Sequence, residues 1–250
     1  MTRWDLSRDY RAIPTGRDAY MVKVIGPWLE AAVSRAIHES SASSVRVLDI
    51  GCGEEPLRKV IEEAGGSYAG FDIQQNSRGS VKVIGFIDRE LPAPWPDSDC
   101  KYDVLLCSEV LEHVADWEAA FRNIRLLVKD HGRVVLTIPF VFPVHMEPLD
   151  FFRGTFYVVE RFAQSHRFVV EELVKLGNAR DVLSTILDDI SILPKRRTLT
   201  SRVATRIIRA CRRILVKTLQ SHSTWSLVHV NANIYLSNGV ILRAEPRQDH

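Results

Sequence analysis

The feature that most constrains the fold is an alternation, from residue 45 onward, of short β-branched runs with longer segments of helical periodicity. Such alternation is typical of a parallel sheet covered by helices on both faces. The sequence therefore predicts an α/β fold with a parallel sheet of seven strands and a helical insertion before the last strand. The expected strands cover residues 45–50, 67–73, 81–87, 102–107, 133–138, 168–176 and 239–244.

Three parts of the chain are expected on this basis. Residues 1–44 form an N-terminal helical cap or lid, whose helix over about 20–36 is expected to lie over one edge of the sheet. Residues 45–177 and 239–246 form the main domain, and residues 178–238 form the helical insertion. Two roles are open for three side chains of the cap: they close a pocket, or they pack within the protein. These are Tyr10, Arg17 and Tyr20.

The charge of the chain is unevenly distributed. The net charge is +2, but residues 195–217 carry nine Lys or Arg and no acid, which leaves −7 on the rest. Apolar residues recur there every three to four positions, so the segment predicts a basic amphipathic helix. Such a helix can lie on an anionic membrane surface, follow a phosphate backbone, or pack on its own domain with solvated arginines. Nucleic acid is the least favoured, because the sequence contains no recognised RNA-binding module.

The expected location is the cytoplasm. The longest apolar stretches are far shorter than the roughly 18 to 20 residues that span a bilayer, and the N-terminus lacks the apolar core of a secretory signal. If the basic helix binds lipid, the expected place is the inner face of the membrane. The oligomeric state is left open.

A glycine-containing turn is the first candidate binding site. Asp49-Ile50-Gly51-Cys52-Gly53 ends the first expected strand directly before a helix. Glycine allows positive φ and close approach of the backbone to a ligand, and α/β folds bind ligands at the carboxyl ends of their strands. The motif alone also fits a tight structural turn. The dinucleotide fingerprint includes a third glycine, but Glu54-Glu55-Pro56 follows here. Two carboxylates would repel a pyrophosphate, and they are compatible with a cationic ligand.

Two further carboxylates indicate a nucleoside. Asp72, nineteen residues after Gly53, ends the second expected strand, where it can accept hydrogen bonds from both hydroxyls of a ribose. Asp88 follows the third strand, near the place where an adenine amino group would need an acceptor. A solvated loop carboxylate is an equal alternative for Asp88.

These residues, with Ser108-Glu109-Val110-Leu111-Glu112-His113-Val114 and Lys129-Asp130-His131-Gly132-Arg133, resemble the class I S-adenosylmethionine-dependent methyltransferases over about residues 45–177. The tract from Pro139 to Thr155 is similar to the P-F-x-x-P-x-H-x-x-P-x-D-x-x-R-x-T pattern of a bacterial subset, many of whose members are associated with sugars, polysaccharides or secondary metabolites. The resemblance implies the Rossmann-like class I methyltransferase fold, with a mostly parallel seven-stranded sheet, and S-adenosylmethionine as the cofactor.

The resemblance also implies which residues bind the cofactor. In the family, the glycine turn contacts the methionine part, the acid matching Asp72 holds the ribose, and the acid matching Asp88 meets the adenine. The implied cofactor-binding residues are Asp49, Gly51, Cys52, Gly53, Asp72, Ile73, Asp88, Ser108 and Glu109.

Methyl transfer from a sulfonium requires mainly that acceptor, methyl group and sulfur are aligned. No metal is chemically required, and the histidines show no ligand spacing. His145 is the candidate base, because it lies just beyond the fifth strand and imidazole titrates near physiological pH. Asp150 can orient it or bind acceptor hydroxyls, whereas packing and surface roles are the alternatives for both. Arg153 is expected to pair with a nearby acid, and His113 is expected to be structural.

The sequence thus favours methyl transfer to a hydroxyl of a small molecule or glycan. N-methylation, an RNA acceptor, and a catalytically silent scaffold that acts through its basic helix remain the alternatives.

Overall fold

The computed structural model describes residues 19–93, 95, 101–190, 192–193, 198–221, 225 and 233–247. Within these residues the strands are β1 Val45–Ile50, β2 Gly66–Asp72, β3 Val83–Ile84, β4 Tyr102–Ser108, β5 Val128–Pro139, β6 Phe168–Leu176 and β7 Ser237–Ala244. The α-helices are α1 Ala19–His38, α2 Arg58–Glu63, α3 Trp117–Leu127, α4 Phe156–Ser165, α5 Ala179–Asp189 and α6 Leu199–Gln220. A short 3-10 helix covers Leu111–His113.

The strands form one sheet in the order β3-β2-β1-β4-β5-β7-β6. All pairings are parallel except those of β7, which runs antiparallel to both β5 and β6. The predicted α/β fold with a mostly parallel seven-stranded sheet is therefore confirmed. Two strands differ in length from expectation. Only Val83–Ile84 of the third strand pairs with β2, and β5 begins at Val128, where its pairing with β4 is irregular.

The central strand β4 shows how the sequence places helices on both faces. Its residues alternate between the two sides of the sheet. Leu105 and Cys107 pack with the side that carries α3 and α4, whereas Val104 and Leu106 pack with the side that carries α1 and α2. All four are buried, and burial of each large aliphatic side chain contributes roughly 1.5–3 kcal/mol. A strand buried on both faces reads as a continuous apolar run.

The position of α1 differs from the expectation that it lies over a sheet edge. Leu29 and Val33 are fully buried in one cluster with Val47 of β1 and Val135 of β5, so α1 crosses the face of the central strands. Its apolar stripe runs through the whole helix and needs more covering surface than an edge strand offers. Tyr20 packs here, because its hydroxyl donates to Asp181 of α5 at 2.7 Å. Tyr10 and Arg17 lie outside the described residues.

The segment between β6 and β7 contains α5 and α6. Asn178 caps α5, since its side chain accepts the backbone N–H of Arg180 at 2.9 Å while its own N–H donates to Asp181. Two arginines of α6 satisfy carbonyls beyond the end of α5: Arg212 donates to Ile190 O at 2.5 Å, and Arg209 donates to Ile192 O. The basic residues Lys195, Arg196 and Arg197 lie outside the described residues. In the part of the chain that the structure describes, every helix is too short or too polar to cross a bilayer.

Candidate functional site

A cavity of about 360 Å³ lies at the carboxyl ends of β1, β2 and β4. This volume is within the range of small-molecule sites, roughly 300–1,000 Å³. Nine of the residues predicted for the site line it: Gly51, Cys52, Gly53, Asp72, Ile73, Asp88, Ser108, Glu109 and His145. These residues are spread over almost a hundred positions of the chain. The sheet brings them together because parallel strands end at the same edge.

The glycine turn forms the floor of the cavity. Gly51 has a φ of 71° and Gly53 a φ of 50°, a region that residues with a Cβ rarely occupy. A methyl group on Gly51 would also lie 2.3 Å from Cγ2 of Val110, so this position has no room for a side chain. The glycines therefore expose the backbone of the turn to whatever occupies the cavity.

Asp72 links this turn to the end of β2. Its carboxylate accepts the backbone N–H of Gly53 at 2.9 Å and that of Gln74 at 3.3 Å. Burial raises the pKa of Asp72, and the backbone hydrogen bonds oppose that rise. The neighbouring Ile73 is exposed at the rim, and Asp88 lies farther along the wall, where its Oδ2 accepts the N–H of Asp116 at 3.4 Å. A carboxylate that is held by two backbone N–H groups retains acceptor positions for ligand hydroxyls.

Two predicted site residues, Asp49 and Asp150, are not among the residues that line the cavity. Asp49 lies behind the glycine turn, where its Oδ2 accepts the hydroxyl proton of Tyr68 at 2.9 Å. Asp150 lies behind His145 and is described below. Direct contact of either residue with a ligand stays a prediction.

Burial raises the pKa of Asp49 to about 7, the nearby Asp72 and Glu55 add to this rise, and the Tyr68 hydrogen bond opposes it. An acid with a raised folded-state pKa binds its proton more tightly when folded, so its contribution to stability falls as pH rises from about 4 to about 7. We expect Asp49→Asn to abolish this fall. The gain in free energy of unfolding over the wild type should grow across that window, up to about 4 kcal/mol.

Urea unfolding at pH 4.5 and pH 8, read by circular dichroism, measures the two free energies for each protein. A gain of the same size at both pH values would show that Asp49 is ionised throughout and would contradict the prediction.

Glu54 and Glu55, whose carboxylates are compatible with a cationic ligand, are not among the residues that line the cavity. Glu54 accepts hydrogen bonds from the backbone N–H of Ser77 at 2.9 Å and from its hydroxyl at 2.5 Å. Glu55 is buried and pairs with Arg58 at 2.9 Å. Glu54 thus ties the turn to Ser77, and Oε2 of Glu55 ties it to Arg58 at the start of α2.

The opposite end of the cavity lies beyond β4 and β5. The hydroxyl of Ser108 lies 2.9 Å from that of Thr137, and the Glu109 carboxylate accepts the hydroxyl proton of Ser237 at 2.7 Å. Glu109 has a φ of 54°, so the chain turns sharply directly after β4. The following 3-10 helix contributes His113 to the lining of the cavity.

His145 and His113 meet on this wall. Their ring centroids are 4.7 Å apart and their planes are inclined by 76°. The Nδ1 atom of His113 lies 2.7 Å from Leu149 O, and burial lowers the pKa of His113 to about 4. His113 was expected to be structural only, and the structure adds that its ring lines the cavity. Its position directly after β4 was the only signal in the sequence.

Asp150 and Arg153 hold the loop that carries His145. Asp150 Oδ2 accepts the backbone N–H of His145 at 2.8 Å and lies 3.4 Å from its Nδ1 atom. Arg153 donates to both carboxylate oxygens of Asp150, at 2.5 and 2.8 Å, and to the carbonyls of Phe142 and Pro143. The expectation that Arg153 pairs with a nearby acid is confirmed. Burial raises the pKa of Asp150, but these hydrogen bonds outweigh it and lower the pKa to about 2.

The apolar residues at this end include two that the sequence did not single out. Met146 and Leu149 line the cavity beside the two histidines, together with Phe151, one of the aromatic residues that the sequence offered as apolar walls. Among the neighbouring aromatic residues, Phe152 packs against Trp117 and Phe140 stacks on Tyr235, so both belong to the packing of the fold. Ser108 and Glu109 thus make the wall beside β4 polar, whereas the part of the cavity around the two imidazoles, its apolar end, is otherwise lined by apolar side chains.

Residues 25–176 match the family described as methyltransferase domain. The match covers more than half of the chain, so the protein belongs to this family of S-adenosylmethionine-dependent methyltransferases, and S-adenosylmethionine is its cofactor. The resemblance to class I methyltransferases is confirmed at this level.

Curated relatives include the ubiquinone biosynthesis O-methyltransferase of Aeromonas salmonicida, which is 26% identical over 168 residues, or 60% of this chain and 67% of that protein. The enzyme of the same name from Bordetella pertussis is 34% identical over 105 residues, or 38% of this chain and 42% of that protein. The chain thus spans less than half the length of the second relative.

Solved structures with the same fold include a protein from Galdieria sulphuraria described as a sarcosine dimethylglycine methyltransferase. It has a TM-score of 0.55 and 16% identity, and the match covers 93% of this chain and 88% of that one. An O-methyltransferase from a multienzyme of Brevibacillus brevis, in complex with S-adenosyl-L-homocysteine, has a TM-score of 0.53 and 16% identity over 92% of this chain and 75% of that one. At such identities the likeness shows the fold.

Proposed function

We propose that this methyltransferase transfers the methyl group of S-adenosylmethionine to a hydroxyl oxygen of a small molecule or glycan. The observation that carries the proposal is that His145 lies on the wall of the same cavity as the glycine turn and Asp72. A group that can accept a proton thus lines the same cavity as the residues proposed to bind the nucleoside. The ubiquinone relatives, which are O-methyltransferases by name, support an oxygen acceptor.

The residues of the cavity fit the cofactor. Gly51 and Gly53 present backbone without side chains, which suits the close approach of the methionine part. Asp72 is fixed at the end of β2 with acceptor capacity for the ribose hydroxyls, and Asp88 lies where it can accept from the adenine amino group. Ile73, Cys52 and the Ser108-Glu109 segment complete the walls.

When bound, the cofactor supplies a methyl group that its sulfonium has already made electrophilic. The task of the protein is therefore to align the acceptor oxygen with the methyl group, and alignment alone can contribute about 7 to 11 kcal/mol. Leu149, Phe151 and Met146 provide apolar surface for the body of the acceptor. This surface also excludes water from the line of attack.

His145 is placed to receive the proton of the acceptor hydroxyl. Its Nδ1 atom lies 3.2 Å from Pro143 O, 3.4 Å from Asp150 Oδ2 and 3.3 Å from Nη2 of Arg153. Because this Nη2 already donates to Pro143 O and Asp150 Oδ2, at 3.0 and 2.8 Å, the two acceptors favour the tautomer with the proton on Nδ1. Nε2 then carries the lone pair. Asp150, ionised and held by Arg153, stabilises the imidazolium that forms.

We expect His145→Ala to slow methyl transfer about 100-fold or more, as general bases contribute, while the affinity for the donor changes little. Label from methyl-tritiated donor, incubated with cell extract and separated into sugar, lipid, protein and RNA fractions, measures transfer and identifies the acceptor class. His38→Ala, at the exposed end of α1, serves as the control. Label in the RNA or protein fraction, or donor binding without label in any fraction, would contradict the proposal.

We also infer that α6 binds the surface of an anionic membrane. Its buried line consists of Thr205, Val216 and Leu219. The apolar residues on the opposite side are exposed, and they include Leu199, Val203, Ile207 and Ile214 at 78%, 44%, 57% and 66%. Exposed basic residues flank this stripe: Arg202, Arg206, Arg213 and Lys217. An outward apolar stripe beside cations complements anionic headgroups above an acyl layer.

Sedimentation with vesicles of phosphatidylglycerol and phosphatidylcholine tests the inference. Ile207→Glu should lower the bound fraction at least about tenfold, because it places a carboxylate in the acyl boundary beside anionic lipid. Ile84→Glu makes the same change at an exposed isoleucine of β3 and should leave binding intact. Equal binding to vesicles of phosphatidylcholine alone, or preferential binding to RNA, would overturn the inference.

A further inference from the structure

Glu112, His113 and His145 bring three potential metal ligands together at the apolar end of the cavity. Glu112 Oε1 lies 3.5 Å from Nε2 of His113 and 3.9 Å from Nε2 of His145. One ligand atom from each residue can be chosen so that all three lie within 4.8 Å of one another. Metal–ligand bonds of about 2.0–2.2 Å place ligand atoms about 3 to 4 Å apart, so small side-chain shifts suffice to enclose a cation.

The Nδ1 atom of each histidine has the kind of partner that is found in metal sites. Metal-binding imidazoles donate their other ring N–H to a carbonyl or carboxylate, which fixes the ring and its tautomer. Nδ1 of His113 lies 2.7 Å from Leu149 O, and Nδ1 of His145 lies 3.2 Å from Pro143 O and 3.4 Å from Asp150 Oδ2. Nη2 of Arg153 lies 3.3 Å from the same Nδ1 atom, but it already donates to Pro143 O at 3.0 Å and to Asp150 Oδ2 at 2.8 Å. Both Nε2 atoms are therefore directed towards Glu112.

Charge and access also suit a cation. The side chain of Glu112 is fully buried, whereas the imidazoles are 12% and 18% exposed and line the cavity. The nearby positive charge of Arg153 is offset by its ion pair with Asp150. A cation held by Glu112 from behind would therefore keep its remaining coordination positions open towards the cavity, as catalytic metal sites do.

We propose that Glu112, His113 and His145 bind a divalent transition-metal cation that in turn binds the acceptor hydroxyl. One carboxylate and two imidazoles are a ligand set that suits Zn²⁺, Co²⁺, Mn²⁺ or Fe²⁺. The consequence for the acceptor rests on the proposed function. The acceptor oxygen would bind the cation, release its proton to water as its pKa falls, and take the methyl group, while the sulfonium becomes a neutral thioether. With a cation bound, His145 acts as a ligand and the cation replaces it as the activating group.

Titration of the full chain, without purification tag, with CoCl2 tests the site. Calorimetry gives the affinity, and the visible absorption of bound Co²⁺ reports nitrogen ligands independently of turnover. We expect one cation per chain. Glu112→Gln and His113→Ala should each weaken binding at least about tenfold. His166→Ala removes a histidine that faces Glu118 at 3.1 Å outside the cavity, and it should leave binding unchanged.

No binding by the wild type, or equal affinity in wild type, Glu112→Gln and His113→Ala, would overturn the site. Thermal melting of each variant shows whether it is folded. If either Glu112→Gln or His113→Ala does not fold, the other still tests the site. Donor affinity measured on the same samples separates the site from the proposed function. Intact donor binding and methyl transfer in the presence of chelator would refute the cation while the methyltransferase reaction stands. Cation binding without label in any hydroxyl acceptor would support the site and refute the proposed acceptor.

Discussion

Asp72→Ala should weaken binding of S-adenosylmethionine about 100-fold or more. The carboxylate is fixed at the end of β2 and lines the cavity next to the glycine turn. Two hydrogen bonds from ribose hydroxyls to a charged acceptor contribute about 1.5–3 kcal/mol each, and every 1.4 kcal/mol is about tenfold in affinity. The substitution also removes the acceptor of Gly53 N, which loosens the turn itself. Calorimetry with the donor and with S-adenosyl-L-homocysteine measures the loss.

Asp103→Ala is the matched control for this experiment. Asp103 is buried to the same extent as Asp72, at 8% exposure, but lies at the start of β4, where it accepts from Arg46 N and Lys129 Nζ. Its removal should lower stability without changing donor affinity. Asp72→Asn keeps one acceptor oxygen and should bind with intermediate affinity. If Asp72→Ala and Asp103→Ala bound the donor equally well, Asp72 would have no role in holding the ribose.

The grouping of the glycine turn with Asp72 in one cavity could be predicted because each of these residues is fixed by local structure. A strand, a glycine bend and a carboxylate at the next strand end are read directly from short segments, and parallel pairing then brings them to one edge. Side-chain direction could not be read in the same way. Glu54 and Glu55 follow the turn, yet Ser77 and Arg58 bind them and turn both away from the cavity.

The acceptor end depends on a contact that the sequence does not encode locally. The loop after β5 folds back over the 3-10 helix, where Phe151 N donates to Glu112 O at 2.8 Å. This contact, with the one between His113 Nδ1 and Leu149 O, brings His145 beside His113, 32 positions earlier in the chain. The sequence therefore predicted no metal, because ligand spacing is visible only when ligands share one element. The same limit applies to α1, whose periodicity predicts burial but not the surface that buries it.

Arg153→Ala should open the loop that carries His145. Arg153 supplies the main donors to Asp150, whose side chain is only 3% exposed, and it also satisfies two carbonyls of the loop. Removing one partner of a buried ion pair costs about 3–5 kcal/mol, and we expect about 2–3 kcal/mol here because Arg153 is 23% exposed. The loss should be local, because the loop lies at the rim of the sheet and not in its core.

Hydrogen exchange, measured at single amides, distinguishes local opening of the loop from destabilisation of the whole protein. The N–H of His145 donates to Asp150 at 2.8 Å and should exchange about 30-fold or more faster in Arg153→Ala, since 1.4 kcal/mol corresponds to about tenfold. Amides of β4 should be unchanged. Arg153→Lys restores the charge but not the planar fork that reaches the carboxylate and both carbonyls, so it should recover only part of the protection. Unchanged exchange at His145 would show that Asp150 is held by the loop backbone alone, and positioning of the imidazole would then not depend on Arg153.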